Sequence, residues 1–277
     1  MPGRPSARRI SLLLASALSV AALATGCGGG DSAGTVKGVE LVSKDHLTVC
    51  THLPYKPFQY SAQNGEVIGF DVDLTNLLAK ELGVGQKIVD VDWNQVTSGA
   101  AFKAGKCDVG MGGMTITPER QKSILISDPY FNATQALMAK KSAGVKDLSD
   151  LKGKKVGVQT DTTGEIYGNK LAKQYGYTTV TFDDYALEVN AVKAGTVDAA
   201  INDNGVLYDF VKSNPETSVV KEFNTGEKYG FAAEKGDANA TKLMDMFNKA
   251  LAKAKRDGTM EKIHQKWFGK VPGNVNQ

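Results

Sequence analysis

The sequence is poor in the residues that carry out covalent chemistry. It holds three histidines in 277 residues, no glycine-rich phosphate loop of the Walker type, and no histidine, cysteine or acid spacing that would ligate a metal. No nucleophile with a base beside it and no proton shuttle stands out. These shortages argue against an enzyme and against any cofactor. A cationic face is missing as well. The formal charge is +3, yet Arg4, Arg8 and Arg9 carry all the charge of the first 26 residues, and the remainder has as many bases as acids. No basic patch is left for a phosphate backbone, so nucleic acid is not an expected partner. Cysteines number three, an odd count that needs an explanation in an exported chain.

What is present begins with an address. Arg8 and Arg9 precede an apolar run over residues 10–24, and the small pair Thr25-Gly26 leads to Cys27. That order is a secretory signal peptide over 1–26, and the run is short for a membrane span. Ala24-Thr25-Gly26-Cys27 resembles the bacterial lipobox, with Ala24 where leucine is usual and Leu23 one place earlier. The resemblance implies cleavage before Cys27 and lipidation of its thiol, which anchors the protein outside the cytoplasmic membrane. Cys50 and Cys107 then remain. Outside the cytoplasm such a pair can form a disulfide; two buried thiols are the other reading. Residues 27–44 start with a Gly-Gly-Gly-Asp-Ser-rich stretch and read as lipidated Cys plus flexible tether.

From Leu47 the pattern alternates. Strands are predicted over 47–51, 88–91, 107–111, 154–158 and 197–201, and helices over 72–82, 166–175 and 186–194, with Gly83 as a helix stop. Two amphipathic helices split near Asp257-Gly258 fill 240–268. Such alternation implies α/β layers with mostly parallel sheets. Lys103-Ala104-Gly105-Lys106-Cys107-Asp108 echoes Lys193-Ala194-Gly195-Thr196-Val197-Asp198, which suggests two lobes built alike with a ligand cleft between them.

Three strand ends carry polar groups suited to such a cleft. In Met114-Thr115-Ile116-Thr117-Pro118-Glu119-Arg120, Thr117 is a good N-cap and Pro118 a good first helical residue. Arg120 then falls in a first turn, where a cation opposes the helix dipole unless an anion joins it. A plain exposed ion pair would also account for Arg120. After the strand over 154–158, Thr162 or Thr163 caps a helix and its loop offers N–H groups to an anion, although capping alone is sufficient. Asp203 follows Ile201-Asn202 at the carboxyl end of a buried strand, where α/β sheets place ligands; alone it reads as a turn residue. Together these groups complement the carboxylate and ammonium of an α-amino acid.

Longer stretches carry a family resemblance. Leu47-Thr48-Val49-Cys50-Thr51-His52-Leu53-Pro54-Tyr55-Lys56-Pro57-Phe58 and Gly69-Phe70-Asp71-Val72-Asp73-Leu74 resemble the opening of the family 3 extracytoplasmic solute-binding proteins. Thr115-Ile116-Thr117-Pro118-Glu119-Arg120, Ser127-Asp128-Pro129-Tyr130, Asp198-Ala199-Ala200-Ile201-Asn202-Asp203, Asp257-Gly258-Thr259 and Trp267-Phe268-Gly269 continue the likeness in order. It implies an α/β two-lobed periplasmic-binding-protein fold with a two-strand hinge. The first lobe would span 45–133 and 228–270, the second 134–227, with 271–277 as a tail. The implied function is the binding component of an ABC importer that captures a polar amino acid by hinge closure and hands it to a membrane permease. The protein would be monomeric.

Carried over by position, the resemblance gives Arg120 the ligand carboxylate, with help from Thr115, Thr162 and Thr163, and gives Asp203 the ammonium. Tyr55 and Trp93 become aromatic walls, with His52 and Gly113 near them; a core aromatic is the other reading of Trp93. Relatives that bind basic amino acids or glutamine often carry an acid at the position of His52, and small hydroxyl residues at Gly112 and Gly113 are common in those that bind basic amino acids. A His52 that donates favours glutamate or glutamine, then other polar uncharged amino acids, with arginine and lysine last. A dehydratase on the same fold, using His52 or Glu165, and a sensor lobe are the alternatives. The lack of a transmembrane segment after Phe268 speaks against the sensor.

Overall fold

The computed structural model describes residues 33–269. The signal segment, Cys27 and the 271–277 tail lie outside the described residues. Within them no helix is long and apolar enough to cross a membrane, and no group of His, Cys, Asp or Glu could hold a metal.

Two five-stranded sheets form two lobes. In the first, His46–Thr51 lies parallel to Gly85–Asp90 on one side and to Val109–Gly110 on the other. Ala232–Glu234 and Ile124–Ile126 complete it in antiparallel pairing. In the second, Lys155–Gln159 lies parallel to Thr178–Phe182 and Ala199–Asp203. The long strands Phe131–Lys140 and Thr217–Tyr229 add to its edge antiparallel. Each sheet is therefore mixed, with one strand, Ala232–Glu234 in the first and Phe131–Lys140 in the second, running against the other four. The antiparallel strands come from the chain's crossings and return, which alternation of strand and helix does not register.

The internal echo has a structural cause. Asp108 accepts the Thr48 N–H at 2.7 Å, and Asp198 accepts the Lys155 N–H at 2.9 Å. In both lobes an aspartate three residues after a left-handed glycine (Gly105, φ 63; Gly195, φ 81) pins an early residue of a neighbouring strand. A positive φ costs glycine little, so the motif needs it there.

Most helices start and stop where the sequence pattern places them. Phe70–Leu82 ends on Gly83 in the left-handed conformation. Ala238–Arg256 starts under Asp237, whose carboxylate accepts the Ala240 N–H, and Thr259–Phe268 follows after Gly258. The predicted strand over 107–111 shrinks to Val109–Gly110. Cys107 stands just before it and bonds to Cys50 on the neighbouring strand, Cα to Cα 5.6 Å. The tether expected to reach residue 44 is shorter. Gly34–Val36 and Val39–Leu41 form a hairpin, and Val39 and Leu41 bury against the long C-terminal helix. Two buried side chains in so short a stretch give too little periodicity to be read as structure.

The two long strands pair from Thr217↔Lys140 to Tyr229↔Phe131, with a break in register between Phe223 and Glu227. The ladder continues into the first lobe through Tyr130 N–H to Tyr229 O and Ser127 N–H to Phe231 O. Phe58 packs edge-on against Phe70, Phe131 and Tyr229 at 5.2–6.1 Å beside this crossing. The aromatic core thus sits beneath the line where the lobes meet.

Candidate functional site

The lobes face each other across a small cavity lined by residues of both, among them Tyr55 and Arg120 of the first and Gln159 and Asp203 of the second. It lies at the carboxyl ends of the parallel strands, beyond Thr51, Gly110, Gln159 and Asp203.

Arg120 enters from the first lobe. Its helix, Arg120–Ser123, is only four residues long, too short for the dipole argument. Local bonds hold it instead: its N–H reaches the Thr117 hydroxyl at 3.1 Å. One guanidinium nitrogen donates to the Thr115 carbonyl at 2.9 Å and another to the Asp161 carbonyl of the second lobe at 3.0 Å. The group lies 5.6 Å over the Trp93 ring. Burial lowers its pKa, while Asp203 and Glu227 oppose that shift. A guanidinium has five N–H donors, and two carbonyls leave the fork unfilled.

Asp203 enters from the second lobe at the end of its strand and is 5% exposed. Its carboxylate accepts from Tyr55 OH at 3.0 Å, from Tyr229 OH and from Gln135 Nε2. Burial, then the nearby charge of Glu227, pushes its pKa up to about 7 against those hydrogen bonds. Behind it Asn202 binds buried Glu188 at 2.6 Å. Such a carboxylate calls for a cation in the cleft.

The threonines divide. Thr162 caps the helix Thr163–Tyr175: its hydroxyl accepts the Glu165 N–H at 3.0 Å and donates to the Gln159 carbonyl at 2.7 Å. It has no proton left for a ligand, so the capping reading holds for its side chain. Thr162 and Thr163, at the start of that thirteen-residue helix, line the cavity, and the N–H groups of Thr163 and Gly164 have no carbonyl one turn earlier in the helix to bond to. Thr115 and Thr163 meet across the lobes at 3.3 Å.

Trp93 is both wall and core. It packs with Val96 and Phe102, lines the cavity, and donates from Nε1 to the Asp161 carbonyl at 3.2 Å. Tyr55 stacks edge-on against Tyr185 of the other lobe at 5.5 Å. Gly112 and Gly113 make room for these rings. A Cβ on Gly112 would lie 2.5 Å from the Trp93 ring, and one on Gly113 2.9 Å from Tyr55. Gly113 also has φ 54, and buried Asp71 accepts the N–H of both glycines at 3.2 and 2.8 Å. Their lack of a hydroxyl thus serves the aromatic walls.

Part of the cavity lining is rich in acceptors. His52 Nδ1 lies 3.0 Å from the Val91 carbonyl and 3.7 Å from an Asp90 oxygen; the nitrogen there carries a proton, and Nε2 is left to accept in the neutral ring or to donate in the charged one. The side-chain Oε1 atoms of Gln59 and Gln159, residues 1% and 5% exposed, have no hydrogen-bond partner, and both residues line the cavity.

Sequence reasoning passed over Gln59, Gln135, Gln159 and Glu227. Gln159 ends a parallel strand and could have been found by the rule that drew attention to Asp203. Glu227 and Gln135 sit on the crossing strands, where no local pattern marks an inward side chain.

A model of the bacterial extracellular solute-binding proteins, family 3, matches residues 47–270. The arginine-binding extracellular protein ArtP of Bacillus subtilis (strain 168) is 35% identical over 259 residues, 93% of this chain and 97% of that protein. An ancestral arginine-binding protein, solved bound to arginine, aligns with TM-score 0.75 at 42% identity over 81% of this chain and 99% of its own. Solved bound to glutamine, an ancestral arginine-binding protein aligns with TM-score 0.74 at 42% identity, covering 82% and 99%.

Proposed function

The chain belongs to the bacterial extracellular solute-binding proteins of family 3, and from that membership we propose that its cleft captures one polar L-amino acid by lobe closure and delivers it to the permease of an ABC importer. The observation that carries this reading is the placement of Arg120 and Asp203. They face one cavity from opposite lobes, one with unfilled donors and the other with a buried carboxylate. A carboxylate at Arg120, aided by the N–H groups opening the helix Thr163–Tyr175, and an ammonium at Asp203 complete both sets. Both ends of the ligand then hold the lobes together, and a ligand that binds the closed form better shifts the protein toward it. One chain supplies the whole site, consistent with a monomer. The role is binding without turnover.

The side-chain end decides among amino acids. Gln59 and Gln159 present unpartnered Oε1 acceptors, Nε2 of a neutral His52 would add a third, and Trp93 and Tyr55 present ring faces. Acceptors beside aromatic faces favour a side chain that donates hydrogen bonds. Arginine therefore ranks first and glutamine second. Glutamate, favoured with glutamine from the sequence, falls away because its carboxylate would meet unpaired acceptors. The arginine-binding relatives agree with this order. A thermal-shift screen of the twenty L-amino acids tests it: arginine or glutamine should give the largest stabilisation, and a response to glutamate alone would refute it. The anchor reading, lipidation of Cys27, is checked by mass spectrometry of the mature N-terminus; an unmodified Cys27 would end it.

A further inference from the structure

Glu227 plays no part in the reading above, yet its carboxylate sits where the two lobes and the crossing strands meet. It follows the register break in the long strand pair. One of its oxygens accepts from the Thr115 hydroxyl at 2.7 Å and from the Thr163 hydroxyl at 3.0 Å. Gln135 Nε2 donates to the same carboxylate at 3.0 and 3.2 Å. First lobe, second lobe and crossing strand each contribute a donor.

The direction of these bonds is forced. An ionised carboxylate only accepts, and a hydroxyl has a single proton. Thr115 and Thr163 both spend that proton on Glu227. Their oxygens, 3.3 Å apart, are left with lone pairs alone. Gln135 Nε2, 3.3 Å from the Thr163 hydroxyl, also reaches Asp203, so it ties the two carboxylates to one side of the cavity. That side offers two carboxylates and two proton-depleted hydroxyls, and no hydroxyl donor for a ligand carboxylate. An ammonium, with three donors and no acceptor, is its complement.

We propose that Glu227 is a positioning residue: it turns the Thr115 and Thr163 protons away from the cavity, so that both oxygens accept from the ligand's α-ammonium beside Asp203. This rests on the amino-acid reading and revises one part of it. The two threonine hydroxyls serve the ammonium, while Arg120 and the helix N–H groups hold the carboxylate. The cleft then discriminates against carboxylic acids that lack an α-ammonium.

Calorimetry of wild-type and Glu227→Gln protein against three probes tests the proposal: L-arginine, L-argininamide, which keeps the ammonium and loses the anionic carboxylate, and 5-guanidinopentanoate, which does the reverse. The weaker probes are measured by displacement. Glu227→Gln should weaken L-arginine and L-argininamide by about ten- to a hundredfold, the range for a hydrogen bond to a charged group, and leave 5-guanidinopentanoate unchanged. Thr115→Val should show the same pattern, and the double variant little further loss. An equal loss for all three probes would mean a purely structural role and would overturn the proposal. Loss for L-arginine and 5-guanidinopentanoate with L-argininamide spared would assign the hydroxyls to the carboxylate and overturn it too. Wild-type protein that binds none of the probes would refute the arginine-first reading, and this inference with it.

Discussion

Lowering the pH from about 7.5 to about 5.5 should weaken ligand binding roughly thirtyfold. Asp203 is the cause. Burial, and secondarily the charge of Glu227, raises its pKa to about 7, while Tyr229, Tyr55 and Gln135 act against the rise. An ammonium needs the ionised carboxylate, so proton and ligand compete for the same group. Below about pH 7 the protonated form dominates the free protein, and each further unit costs about 1.4 kcal/mol. The interval from pH 7 to 5.5 therefore costs roughly 2 kcal/mol. Above the Asp203 pKa the affinity should level off. Arg120 stays charged throughout, since burial lowers its pKa from a starting value far above this range. Calorimetry between about pH 5.5 and 8 measures the effect. Repeating it near pH 7 in two buffers of different ionisation enthalpy should show about half a proton released per ligand bound. A dissociation constant that stays flat across the range, with no proton release, would refute a direct role for Asp203.

Other perturbations read other parts of the site. Arg120→Ala or Asp203→Ala leaves one ligand charge buried and unpaired, which costs about 2–5 kcal/mol of binding, or roughly 30- to several-thousand-fold in a titration. Gly113→Ala places a Cβ 2.9 Å from the Tyr55 ring at a backbone φ of 54; binding should weaken at least about fivefold, and wild-type affinity in that variant would contradict the packing account. Replacing Cys50 and Cys107 with serine removes a crosslink across 57 residues. The chain-entropy model puts its contribution at about 4 kcal/mol, and an unchanged denaturant midpoint would count against a structural disulfide.

Local pattern carried the sequence reading a long way. The strand His46–Thr51, the helix Phe70–Leu82 with its Gly83 stop, and the split at Gly258 follow from apolar periodicity and glycine placement. The paired aspartates Asp108 and Asp198 were visible as a repeat, although their purpose, pinning the first residues of a neighbouring strand, is a long-range contact. Arg120, Asp203 and the 162–163 loop could be found because strand ends and helix starts have chemical signatures. Hydrogen-bond direction could not. Which His52 nitrogen carries a proton depends on the Val91 carbonyl, 39 residues away, and the orientation of the Thr115 hydroxyl depends on Glu227, 112 residues away. The preference for glutamate or glutamine rests on His52, Gly112 and Gly113, whose partners are equally long-range.

The central claim is that one L-amino acid bridges Arg120 and Asp203, and a crystal structure of the protein grown with L-arginine tests it most directly. The account predicts the ligand carboxylate on the Arg120 guanidinium, the ammonium on Asp203, and the side chain between Trp93 and Tyr55 reaching toward Gln59 and Gln159. A ligand bound with its carboxylate toward Asp203, or bound outside this cavity, would contradict it.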